Sequence, residues 1–99
     1  MNKHIDCAAV FCLAAQAQRE KGNFSQAIKL YEKARNAYER CDGRMSAAIG
    51  LTFMDIANCY GELGDAEASE AFFAKARDIM RTKAEILSTS PVQQTVRQS

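Results

Sequence analysis

Few side chains in this sequence have chemistry to offer. There are four cysteines (Cys7, Cys12, Cys41 and Cys59), one histidine (His4), and one acid, Asp55, alone in an uncharged run. Cysteines hold zinc or cycle through disulfides when paired at CxxC spacing, and no such pair occurs here. Cys7 and Cys12 would point about 140° apart around a helix that turns ~100° per residue, too far round to share an ion. The thiols therefore read as small buried hydrophobes, which suits a reducing, cytoplasmic compartment. His4 and Asp6 would make an acid–base pair only with a nucleophile or oxyanion donor nearby, and none is indicated, so they read as a solvated first turn. Asp55 is the single candidate for a perturbed acid. No glycine-rich phosphate loop is present. No metal, no cofactor and no enzymatic activity are expected.

Composition narrows the class further. The 99 residues are 47% hydrophobic and 25% charged, the balance of one ordinary globular domain. A net charge of +1 gives no field to gather nucleic acid or anionic lipid, and neither partner is expected. No run approaches the ~18–20 apolar residues of a membrane span. Residues 7–15 (CAAVFCLAA) followed by Ala15-Gln16-Ala17 have the outline of a signal peptide. Asp6 in the would-be basic leader, and a second copy of the same segment downstream, favour a helix of the fold instead.

That second copy organises the chain. With Gly22 set against Gly64, Phe11 meets Phe53, Ala15 meets Ala57, Tyr31 meets Phe73, and Lys33-Ala34-Arg35 meets Lys75-Ala76-Arg77, all 42 residues apart. Each copy reads as two helices around a Gly-polar turn. The first spans about His4 to Lys21. The second spans Phe24 to Arg40, with Asn23 as its cap and Gln26 at capping-box spacing. Gly43 is the expected stop before a third helix from about Met45 to Leu63. Asp65 caps the fourth, which runs to about Leu87, with Glu67 in its positive first turn. These four helices form one domain over 1–87, and 88–99 reads as a flexible polar tail in which Ser90-Pro91 resembles a proline-directed phosphorylation pair.

Helices two and four are amphipathic, with apolar stripes at Ala27, Tyr31, Ala34, Tyr38 and Cys41, and at Ser69, Phe73, Ala76, Met80 and Leu87. Their charges (Glu32, Lys33, Arg35, Glu39 and Arg40; Lys75, Arg77, Asp78, Arg81, Lys83 and Glu85) mix both signs and read as solvated faces. Helices one and three differ. Residues 7–18 carry no charge and residues 45–61 carry only Asp55. Such helices need cover on more than one side. Helix three can be sandwiched inside the chain, whereas helix one has no preceding helix to cover its outer flank.

This arrangement resembles the tetratricopeptide repeat (TPR), a helical hairpin of about 34 residues with a fixed pattern of small and aromatic positions. The second copy supplies Phe53, Ile56, Ala57, Tyr60, Ser69, Phe73 and Ala76 at seven of the pattern's eight places, with Arg81 where Pro is usual. The first supplies Phe11, Ala15, Ala27, Tyr31 and Ala34, and departs at Ala14, Gln18 and Glu39. The longer period is similar to the extended repeats of kinesin light chains, where a helix-breaking Pro would interrupt the lengthened second helix. The resemblance implies an all-α fold of two antiparallel hairpins, four helices, stacked as a short α-solenoid.

It also implies a function. In this family the first helix of each repeat lines a groove that docks another protein. The corresponding residues here are Ala9, Cys12, Gln16, Arg19 and Glu20, then Leu51, Met54, Asn58, Gly61 and Glu62. The Lys and Asn with which some members grip a chaperone's C-terminal carboxylate are replaced by Cys12 and Gln16, so that activity is not carried over. An apolar or amphipathic segment suits Leu51 and Met54 better. The expected function is a non-enzymatic adaptor, scaffold or small chaperone. The alternative is a structural oligomerisation unit or a regulatory cap of a larger helical assembly. Two hairpins fall short of the ~3 that usually make a stable solenoid, so helix one is expected to pack on a second copy through Val10, Leu13 and Ala17, giving a homodimer.

Overall fold

The computed structural model describes the backbone of residues 3–41 and 46–88, and the side chains of residues 6–41 and 47–81. The side chain of His4, the Gly43 turn, the side chains of Lys83, Glu85 and Leu87, and the segment 89–99 with Ser90-Pro91 lie outside the described residues. Four helices follow in order: α1 (Lys3–Glu20), α2 (Phe24–Glu39), α3 (Ser46–Glu62) and α4 (Ala66–Ser88). No strand occurs among the described residues. α1 packs on α2, α3 packs on α4, and α2 packs on α3, so the two hairpins stack as a short all-α solenoid.

The two bends are copies of one another. Gly22 and Gly64 have φ of 82° and 81°. The Gly22 N–H donates to the Arg19 carbonyl (2.9 Å) and the Asn23 N–H to the Gln18 carbonyl (2.9 Å). The Gly64 N–H donates to Gly61 (3.0 Å) and the Asp65 N–H to Tyr60 (2.9 Å). This pair of bonds is the Schellman closure, which needs a left-handed residue just past the helix end.

The helix starts are not copies. Asp65 caps α4 as expected, its Oδ1 accepting the Ala68 N–H at 3.1 Å. Asn23 does not form the expected capping box. Its side chain makes no cap bond, and its Nδ2 instead donates to Gln18 Oε1 at 2.9 Å, back across the turn. With ψ at 68° the residue is outside the extended geometry that aims a cap oxygen at the first turn.

The core joins both hairpins: Ala15 from α1, Ala27, Ile28 and Tyr31 from α2, Phe53, Ile56 and Cys59 from α3, and Ala76 from α4. Small residues at the crossings let the helices approach closely. In the second hairpin the approach is fastened by the Ser69 hydroxyl, which donates to the Ala57 carbonyl at 2.8 Å. On α4 the side chains packed against the core are Phe72, Ala76 and Ile79. Phe72 stacks on Tyr60 with ring centroids 5.5 Å apart and tilts against Phe53 at 5.9 Å. Phe73 and Met80, which the stripe placed inward, are half-buried like Phe72 and Ile79, and Met80 lies against Gly50 of α3. Adjacent aromatics on a helix diverge by ~100°, so only one of the Phe72–Phe73 pair can face α3.

No side chain crowds Gly64, since nothing lies within 4 Å of a Cβ built there. Replacing it by Ala therefore adds only the left-handed backbone strain, about 1–2 kcal/mol. Gly64→Ala is expected to lower the thermal midpoint by roughly 4–8 °C per kcal/mol, read by circular dichroism, with the helical spectrum retained.

Candidate functional site

α1 and α3 are linked through Arg19 and Asp55, and the residues expected to line a groove are distributed along these two helices. Ala9 and Gln16 on α1, and Asn58 and Glu62 on α3, are exposed. Leu51 is 55% exposed and Met54 37%, so the apolar end of this face belongs to α3. Glu20 and Gly61 are exposed at the far end. The helical register puts these residues outward because their neighbours Thr52, Phe53, Ile56 and Cys59 are drawn into the core.

Cys12 and Arg19 occupy the seam between the two helices. Cys12 is half-buried against the core cluster. Burial pushes its thiol up, hydrogen bonding to Tyr38 and Thr52 pulls the other way, and the Asp55 carboxylate adds to the rise. A thiol held protonated in this way is a weak nucleophile. Arg19 reaches across to Asp55 at 3.4 Å, and its guanidinium lies 5.9 Å from the Tyr31 ring centre. Asp55, the one acid in the middle of its helix, is raised by desolvation, an effect opposed by Arg19. This arrangement reads as a tie between the hairpins at the floor of the face. Among the described residues, no cluster of three or more His, Cys, Asp or Glu side chains is arranged to hold a metal ion.

Two further surfaces border this face. On the outer flank of α1, Val10 is 63% exposed, Leu13 is 67% exposed, and Ala17 is exposed with them. Beyond α3, and sharing Met54 with this face, a cleft of about 580 Å³ is lined by Met54, Phe73, Ala76 and Met80, with Arg77, Asp78 and Arg81 at its rim. The cleft was not anticipated, although the Phe72–Phe73 doublet signals that α4 carries apolar side chains on two faces.

A Tetratricopeptide repeat family model matches residues 8–38 and 52–79, together more than half of the chain. The chain belongs to the tetratricopeptide repeat family, whose repeats generally serve as protein–protein interaction modules. No curated protein and no solved structure matches it significantly. No helix among the described residues is long and apolar enough to cross a membrane.

Tyr31 lies fully buried beneath the seam, and its hydroxyl has no protein hydrogen-bond partner. Desolvation and the nearby Asp55 carboxylate push its ionisation up to about 12, with Arg19 opposing. A group whose ionisation is raised by folding contributes stability that is complete below its ordinary value of 10 and is lost as pH rises towards 12. Tyr31→Phe is expected to match the parent at neutral pH or exceed it by up to about 1 kcal/mol, because a buried hydroxyl without a partner stabilises nothing. It is also expected to reduce the alkaline loss. Urea titrations at neutral and alkaline pH check both, and a loss of several kcal/mol at neutral pH would show that the hydroxyl is paired.

Proposed function

We propose that the protein is a non-enzymatic adaptor or small chaperone that docks an apolar or amphipathic segment of another protein across α1 and α3. The observation that carries this reading is the pairing of exposed Leu51 and Met54 with the polar row Gln16, Asn58 and Glu62 on one face. An amphipathic helix laid there would bury its apolar stripe at one end and hydrogen-bond at the other. Ala9 leaves room for a large side chain. Cys12 and Arg19 form the floor, and they position the face more than they contact a partner. The free thiols, two of them buried, suit a reducing compartment, and a cytoplasmic location goes with this reading.

A second reading is favoured by the outer strip of α1. Val10, Leu13 and Ala17 make an exposed apolar surface that none of the described residues covers. We infer that this strip is a self-association surface, which would make the protein a structural unit of a larger helical assembly.

The two readings separate experimentally. Leu51→Glu/Met54→Glu, verified as folded by circular dichroism, is used beside the parent chain in a pull-down read by mass spectrometry. Titration calorimetry follows, with a helical peptide from the captured protein. Burial of Leu or Met side chains contributes about 1.5–3 kcal/mol each, so the double variant is expected to bind at least tenfold more weakly. Equal binding by the double variant and the parent overturns the docking face.

A further inference from the structure

The outer strip of α1 and the cleft beside α4 are the two halves of an interface that the chain already makes once within itself. Moving 42 residues along the sequence carries α1 onto α3 and α2 onto α4. On α3, Thr52 and Cys59 are 2% and 0% exposed because the first hairpin covers them, whereas their counterparts on α1, Val10 and Ala17, face solvent. On α2, Tyr31 is fully buried beneath α3, whereas its counterpart on α4, Phe73, is half-exposed in the cleft. Each end of the molecule therefore lacks what the other end offers.

We propose that the chain associates head to tail, with α1 of a second copy seated in the α4 cleft as α3 is seated on α2. This rests on the reading of the α1 strip as a self-association surface and names what receives it. The residue exchanges between the two interfaces are matched in pairs. Within the chain, Arg19 meets Asp55 at 3.4 Å. Between copies those two places are held by Gly61 and by Leu13 of the second copy, so an ion pair becomes a side chain in a gap and no charge is left unpaired. Arg35 lies 5.6 Å from the Phe53 ring centre within the chain, and Arg77 is set to cover Phe11 of the second copy in the same way. The register also brings Asp6 of the second copy to the Arg81 end of the cleft, where the charges are opposite. Two places are discordant: Glu70 stands where α2 has Ile28 and lies exposed at the edge, and Lys83 stands where the first hairpin has the buried Cys41.

An interface joining two different surfaces leaves one of each free at the ends, so it propagates unless its rotation closes a ring. The weight-average mass of the parent chain is expected to rise steadily with concentration in sedimentation equilibrium, beyond that of a dimer. Leu13→Glu removes the α1 strip and Phe73→Glu removes the cleft. Each alone is expected to be a monomer at every concentration, while an equimolar mixture forms one 1:1 dimer that grows no further. Native helicity is checked by circular dichroism, and if Phe73→Glu does not fold, Arg77→Glu/Arg81→Glu at exposed positions takes its place. Self-dimerisation of the Phe73→Glu variant would show α1 packing on α1, overturning the head-to-tail arrangement while leaving the strip a self-association surface. A parent chain that stays monomeric overturns both; because Met54 lies on the docking face and in the cleft alike, peptide docking is read separately with Leu51→Glu, which leaves the cleft lining intact.

Discussion

The constraint on which this structure depends is the scarcity of charge on α1 and α3. A helix that is apolar nearly all round cannot leave both flanks in water. α3 meets this condition within the chain, with α2 on one side and α4 on the other. α1 has α2, but among the described residues no helix covers its outer side, and Val10 and Leu13 are exposed there. The small residues at the crossings and the duplicated glycine bends serve the same end, bringing a second helix close enough to exclude water from the first.

Charged groups are confined to the edges of these contacts. Arg35 holds Glu32 at 3.0 Å and also pairs with Glu39, while its guanidinium covers Phe53. Lys33 lies 5.8 Å from the Phe11 ring centre, and its counterpart Lys75 lies 5.7 Å from Phe53 and 4.8 Å from Phe72. Exposed ion pairs and cation–π contacts of this kind contribute about 1 kcal/mol or less each. Their value is positional: the stems of Lys33 and Lys75 shield the aromatic edges of each hairpin, and Arg19 and Arg35 hold the two hairpins in register.

Much of the fold was legible because it is written twice. The 42-residue offset located both bends, and the positive φ of Gly22 and Gly64 is what a shared requirement for glycine looks like in coordinates. Helix limits followed from the same punctuation. The α2 start at Phe24 is where the sequence puts it, but its capping box does not form because the Asn23 side chain has a competing acceptor in Gln18, a contact that spacing rules do not weigh. The inward face of α4 is wider than the stripe drawn through Phe73: Ser69 and Ala76 face α3 as expected, and Phe72 and Ile79, each one position ahead of Phe73 and Met80, pack on the core as well. The exposure of Leu51, Met54, Asn58 and Glu62 follows from the helical register, whereas the half-burial of Cys12 and Arg19 does not, since it arises where α3 meets α1.

The central claim, that α3 is enclosed while α1 is covered on one side only, is tested most directly by the chain's own thiols. Pulsed maleimide labelling read by mass spectrometry follows each cysteine separately. Cys7, exposed on α1, is expected to react fastest and Cys12 more slowly. Cys59 on α3 and Cys41 at the end of α2, both buried, are expected to react only through unfolding, and so to become accessible together as urea is raised. Labelling of Cys59 as fast as Cys7 without denaturant would contradict the sandwiched third helix, and with it the stacked-hairpin account of the molecule.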